Sequence, residues 1–285
     1  MEVDEDHNTI VEIAADGDVI MVVGSEQNEF RLYSLFLKTT SKVFKAMLGP
    51  NFAEGQQLIA SGNREPIKID LPQDDVESME FIFRVIHHQF DALHNPEDFP
   101  FFEILVAADK YDLLPAIKYA FHHALAAVVE REQTLEQMCC EDLWKLAMAA
   151  AFVTSAPAFK AATRALIFHC DEGYLVYAKE WSLNEVFALQ ACAALHGERT
   201  RWKSLAMSNL LRACQCRTHA GKDEFRYEFV VGSPHDFIYD SLSDQLDLIE
   251  ACQEYQKGAR SADFYDKHWM DETKEDAGLD LDNFV

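Results

Sequence analysis

The sequence predicts an α+β domain, a small β-sheet flanked by helical hairpins, followed by an all-α C-terminal region. Two observations predict it. Three short β-branched or alternating segments lie before residue 72, interleaved with stretches whose apolar residues recur at helical spacing. Beyond Glu130 the pattern becomes almost wholly helical. The expected organisation is an acidic, flexible N-terminus over 1–15, the α+β domain over 16–130, a helical domain over 131–262 and an acidic, solvated tail over 263–285.

The first strand is the run Val19, Ile20, Met21, Val22 and Val23, closed by Gly24 and the polar residues after it. Phe30 and Leu32 alternate with Glu29 and Arg31, the period of a second strand with one wet face, so the pair reads as a hairpin. Ser41 is a good N-cap for a short helix that sets Val43, Phe44, Met47 and Leu48 on one face and stops at Gly49-Pro50. After a polar loop, Ile67, Ile69 and Leu71 alternate with Lys68 and Asp70 as a third strand. Asp74 or Asp75 caps the next helix, carrying Val76, Met79, Ile82, Phe83 and Ile86. A helix from Phe102 to near Tyr111 follows. The next has the stripe Leu113, Ile117, Phe121, Ala124 and Val128, with Pro115 tolerated in its first turn. That stripe is assigned to core rather than to a partner. The C-terminal segments 136–152, 158–170, 183–196, 199–216 and 240–256 read as helices, with a lone strand at 227–231.

Charge and composition narrow the function classes. The 285 residues hold 49 acids against 25 bases, a net charge of −24, which repels phosphate backbones and anionic lipid; neither nucleic acid nor membrane is expected as a partner. Seven acids and no base fall within 1–18, and eight acids against two bases within 263–285. Both ends therefore read as solvated. The seven cysteines show no regular spacing, and the opening MEVDEDHNT lacks the basic and apolar regions of a secretory signal. A reducing compartment, cytoplasmic and/or nuclear, is the expectation.

The segments DGDVIMVVGSEQNEFRL, SKVFKAML, IKIDLP and AADKYDLLPAIKYA, in that order and spacing over roughly 16–129, resemble a BTB/POZ domain. The pieces are the first hairpin, the Ser-x-x-Phe-x-x-Met helix (Ser41, Phe44, Met47), the third strand, and the Ala-Asp-Lys-Tyr-Asp junction at 108–112. The resemblance implies a non-enzymatic protein–protein interaction module. Such domains dimerise, join cullin-3 ubiquitin ligases as substrate adaptors, or recruit other regulators, and fold alone does not choose among these. Phe52-Ala53-Glu54 matches the hydrophobic-x-Glu pattern of cullin-binding members, which implies Phe52 and Glu54 as the residues that meet the cullin-3 scaffold. Transcription-repressor relatives place a base opposite an aspartate matching Asp18. This chain has Tyr33 and then Ser34 there, which implies a divergent homodimer pocket of Asp18, Tyr33 and Ser34. That departure and the Gly-Pro-Asn-Phe-x-Glu-Gly turn at 49–55 resemble the BTB proteins of filamentous fungi. A self-associating, transcription-linked protein without a ligase role is the alternative.

Other chemistry is not signposted. Walker-type, GxGxxG, GxSxG and HExxH motifs are absent, so no catalytic residue and no cofactor is expected. Cys214-x-Cys216 with His219 lacks a second ligand pair at finger spacing and reads as structural. In His87-His88 and His122-His123 the two rings diverge by about 100° on a helix, so neither pair is a chelate. No metal is expected. Phe264, Tyr265, Trp269, Leu279, Leu281 and Phe284 interleave with carboxylates at the C-terminus. A solvated tail is the simpler reading; a short docking segment that folds on a partner is the alternative.

Overall fold

The computed structural model describes residues 10–62, 65–89, 99–170, 173–213 and 277–284, with side chains left undescribed at 132–133 and 205–213. It is a mixed α+β chain that divides into two compact units, residues 1–128 and 129–285, beside the boundary expected near Glu130.

The N-terminal unit is built on a four-stranded sheet of order β1-β3-β2-β4, with β1 at Val11–Glu12, β2 at Val19–Val23, β3 at Asn28–Leu32 and β4 at Ile67–Leu71. β2 is an inner strand, antiparallel to β3 (Met21 opposite Phe30) and parallel to β4 (Met21 opposite Ile69). All five of its residues are buried, which is why it reads as an unbroken apolar run, whereas β3 and β4 alternate. Gly24 closes β2 at φ +75, where a Cβ would lie 2.8 Å from Val76 Cγ2.

Among the described residues the unit also has the helices α1 (Ser34–Thr40), α2 (Lys42–Met47), α3 (Ala53–Ser61), α4 (Val76–Ile86), α5 (Phe101–Lys110) and α6 (Leu114–Val129). Ser41 ends α1 and caps α2, accepting the Phe44 N–H at 2.9 Å. Of the two aspartates proposed as the α4 cap, Asp75 performs it, accepting the Ser78 N–H at 2.8 Å. Asp74 instead takes the Tyr111 hydroxyl and the Lys110 ammonium, each at 2.6 Å. Phe83 on α4 is fully buried with its ring 5.8 Å from that of Phe30 on the sheet. Leu113, Ile117, Phe121, Leu125 and Val128 are buried along α6; Leu125 takes the place in the stripe that spacing assigned to Ala124.

Three differences from the sequence expectation have physical causes. Val11–Glu12 pairs in parallel with Phe30 and Arg31, and Ile13 and Ala14 are buried, so this part of the stretch expected to be flexible belongs to the fold. The polar stretch after Pro50 is helix α3, although only Gly55 and Leu58 on it are buried. A Cβ on Gly55 would overlap the Gly49 carbonyl, so this helix is seated by backbone approach rather than by an apolar stripe. Val43, grouped with the buried face of α2, is exposed.

In the C-terminal unit, α7 (Glu132–Gln137), α8 (Cys140–Phe152), α9 (Ala156–His169), α10 (Leu175–Glu180) and α11 (Glu185–Ala213) are helical, and Leu281–Asn283 forms a 3₁₀ turn. α8 and α9 are its core, burying Trp144, Phe159 and Leu166 completely. Cys139 splits the helix expected over 136–152 by capping α8 with its thiol. α11 runs through Gly197 as one helix where two were expected. Cys140 and Cys170, expected as thiols, form a disulfide: one is the first residue of α8 and the other the C-cap of α9, Cα atoms 5.6 Å apart, a proximity that a 30-residue separation in sequence does not reveal. Cys214, Cys216, His219, the strand at 227–231 and the helix at 240–256 lie outside the described residues. No described helix is long and apolar enough to cross a membrane.

Tyr111→Phe should lower unfolding stability by about 1–3 kcal/mol, because the Asp74 carboxylate, 6% exposed, then loses its hydroxyl donor. Ser41→Ala should cost about as much, through loss of a cap and of the donor to Tyr111 C=O. Urea unfolding followed by circular dichroism checks both.

Candidate functional site

Two surfaces of the N-terminal unit hold the residues singled out from sequence, and they are separate.

The first is the outer face of α3. Gly49 and Pro50 end the preceding helix, and Phe52 is left in extended geometry as the N-cap of α3 (φ −113, ψ 155). Its aromatic ring is 51% exposed. Ile59, seven residues on and so on the same helix face, is 66% exposed. Gln56, between them in space, is also exposed. Glu54 stands half-buried in the first turn, where the helix N-terminus favours its charge. The sequence pattern found Phe52 and Glu54. It did not find Ile59, because a helix was not expected there. An aromatic and a branched aliphatic side chain separated by two turns form an anchor surface for an apolar partner groove.

The second surface lies around the start of α1. Asp18 and Tyr33 line a cavity of about 380 Å³ together with Asp16, Arg31, Leu35 and Glu65. Ser34 lies beneath it, 2% exposed. Both Asp18 oxygens are engaged by that one residue: Oδ1 accepts the Ser34 N–H and Oδ2 accepts the Ser34 hydroxyl, each at 2.6 Å. Asp18 therefore caps α1 from a neighbouring strand end, a task the local N-cap residue Tyr33 cannot perform with its side chain. Arg31 donates Nε–H to Gly17 C=O at 3.0 Å and pairs with Glu12 at 3.7 Å. Leu35 and Tyr33 in its lining are exposed by 63% and 37%, so the cavity carries apolar side chains at its rim.

A residue that sequence reasoning discounted helps build this surface. His87 Nε2 accepts the Tyr33 N–H at 3.0 Å, while its Nδ1 lies 2.8 Å from Phe83 C=O. Those contacts require a neutral ring protonated at Nδ1. Burial pushes the His87 pKa below its ordinary value, against the hydrogen bond to Phe83 and with a smaller contribution from the charge of His88. Tyr33 stacks on the His87 ring and Phe36 meets it edge-on at 5.1 Å. Only its place at the end of α4 could have signalled this, and that requires the tertiary fold.

No group of three or more His, Cys, Asp or Glu side chains among the described residues could hold a metal ion. No protein-family model matches the chain, and no curated protein matches it.

The lowered His87 pKa gives a pH prediction with a definite sign. Folding favours the neutral ring, so its contribution is full above the unfolded value near 6.5 and is lost as pH falls through the lower folded value. The urea midpoint of the wild type should therefore drop more steeply below pH 6.5 than that of His87→Gln, measured side by side from pH 8 to 5.

Proposed function

We propose that the N-terminal unit is a BTB/POZ-type protein-interaction module that serves as an adaptor for a cullin-3 ubiquitin-ligase scaffold. The observation that carries the reading is the exposure of Phe52 at the head of α3 with Glu54 two residues on. A phenylalanine half open to water on an ordered, Gly55-seated helix loses little conformational entropy on docking, and an adjacent carboxylate adds a directional, charge-assisted contact. The four sequence segments that resemble the family occupy the hairpin, α2, β4 and the α5–α6 junction of one unit. The C-terminal unit then serves as the cargo-selecting part.

A second reading is favoured by a different observation. Leu35 and Tyr33 are exposed apolar side chains at the start of α1, a surface suited to self-association, in which case the protein is a dimeric, transcription-linked regulator without a ligase role. Asp18 is turned inward onto Ser34 there, so such a dimer is held by apolar contact rather than by an Asp18 ion pair.

Purified full-length protein should retain cullin-3 in a pull-down, and Phe52→Ala should weaken retention about tenfold or more, the loss of one interface anchor. Ile59→Asp should do the same, and Val106→Ala, at an exposed position on α5, should not. Failure of the intact protein to bind cullin-3 removes the ligase reading.

For self-association, multi-angle light scattering across micromolar concentrations should give twice the chain mass for the wild type and the monomer mass for Leu35→Asp. A wild type that stays monomeric removes the dimer reading.

A further inference from the structure

In the C-terminal unit, residues 277–284 pack against α9 and α11. Ala277, Leu279 and Leu281 are buried, and Phe284 sits 6.0 Å from the Phe159 ring of α9 and 5.6 Å from the Phe187 ring of α11. Thr163, fully buried on α9, accepts the Leu279 N–H at 2.9 Å while donating to Phe159 C=O at 2.7 Å. Gly278 lies at φ +111, and a Cβ there would come within 2.5 Å of Lys160 C=O, so only glycine passes this point. Asp280 caps the 3₁₀ turn by accepting the Asp282 N–H at 3.1 Å. α9 carries Lys160 and Arg164 on either side of Thr163, opposite in sign to Asp280 and Asp282.

These are the attributes of linear-motif recognition rather than of ordinary core. The contact is made by eight described residues with two leucines and one phenylalanine as anchors, one backbone hydrogen bond to a buried hydroxyl, and a turn stabilised by its own aspartate. We propose that the α9–α11 groove is a docking site for acidic segments of the pattern Gly-Leu-x-Leu-x-x-Phe in partner proteins, and that residues 277–284 are its resident competitor in cis. Covalent attachment makes the resident segment's binding intramolecular, so a partner segment docks when it outcompetes or displaces the tail. The site is in the C-terminal unit and stands independently of the adaptor reading.

The test is fluorescence anisotropy with a labelled peptide of residues 277–285 and the full-length protein. Wild type should bind the peptide at least tenfold more weakly than Gly278→Val, in which the resident segment can no longer seat. Leu281→Asp combined with Phe284→Ala vacates the groove by another route and should give the same gain. A labelled peptide carrying Phe284→Ala should lose binding to both vacated proteins, as should the wild-type peptide when Phe187→Ala is added to the Gly278→Val protein. Equal binding by wild type and both vacated proteins would overturn the proposal, as would no binding to vacated proteins whose helical circular dichroism is unchanged. Loss of the helical signal in both vacated proteins would also overturn it, because the segment would then be integral core.

Discussion

Tyr111 engages every group it has in a different part of the N-terminal unit. Its hydroxyl donates to Asp74, its carbonyl accepts the Ser41 hydroxyl at 2.5 Å, and its ring lies flat on Phe44 with centroids 4.6 Å apart. Three junctions meet there: the end of α5, the start of α2 and the link from β4 to α4. Burial first, then the bond to Asp74 and that carboxylate's charge, push the phenol's pKa far up, so it remains a donor at any physiological pH. Because Tyr111 and Lys110 satisfy Asp74, Asp75 is left to cap α4. Because Ser41 is fixed at both ends, α2 is fixed, and with it the Gly49 carbonyl against which Gly55 seats α3. The exposure of Phe52 and Ile59 is thus the far end of a chain of contacts that begins at one buried tyrosine.

The same logic explains the chemistry around α1. A helix start needs acceptors for its free N–H groups, and Tyr33 offers none from its side chain. Asp18 and His87 reach in from β2's approach and from the end of α4 to take the Ser34 and Tyr33 N–H groups. An aspartate that might have met a base is thereby committed to a serine. The exposed side chains of Leu35 and Tyr33 are left as what this surface offers a partner. Hydrogen-bond satisfaction of one helix end has decided the character of the whole surface.

Periodicity made much of this fold legible because β4, α4 and α6 each bury a regular face, while β2 reads as an unbroken apolar run. Where seating came from other forces, the pattern was silent. Val11–Glu12 is too short for alternation to register, and its burial comes from joining β3. The seat of α3 is two backbones in contact, which leaves no apolar stripe to read. Gly197 did not break α11, since a single glycine costs a helix only about 1 kcal/mol and packing overrides it. Of the site residues, Phe52 and Glu54 were visible as a motif and Asp18 and Ser34 as a departure from one. Ile59 and His87 were not, because each matters only through a neighbour that the tertiary fold supplies.

The C-terminal segment shows how composition can hide a binding motif. Aspartates at 280 and 282 make the stretch read as solvated, yet one of them caps the turn and neither is buried, while Leu279 before them and Leu281 between them are buried and Phe284 beyond them meets α9 and α11. Charge content measures the average environment of a segment; docking depends on where its few apolar residues fall. A segment with more apolar residues would be permanent core, and one with fewer would not order at all. Three anchors and one buried hydrogen bond put residues 277–284 between those limits, where a covalently held ligand can give way to one presented by a partner.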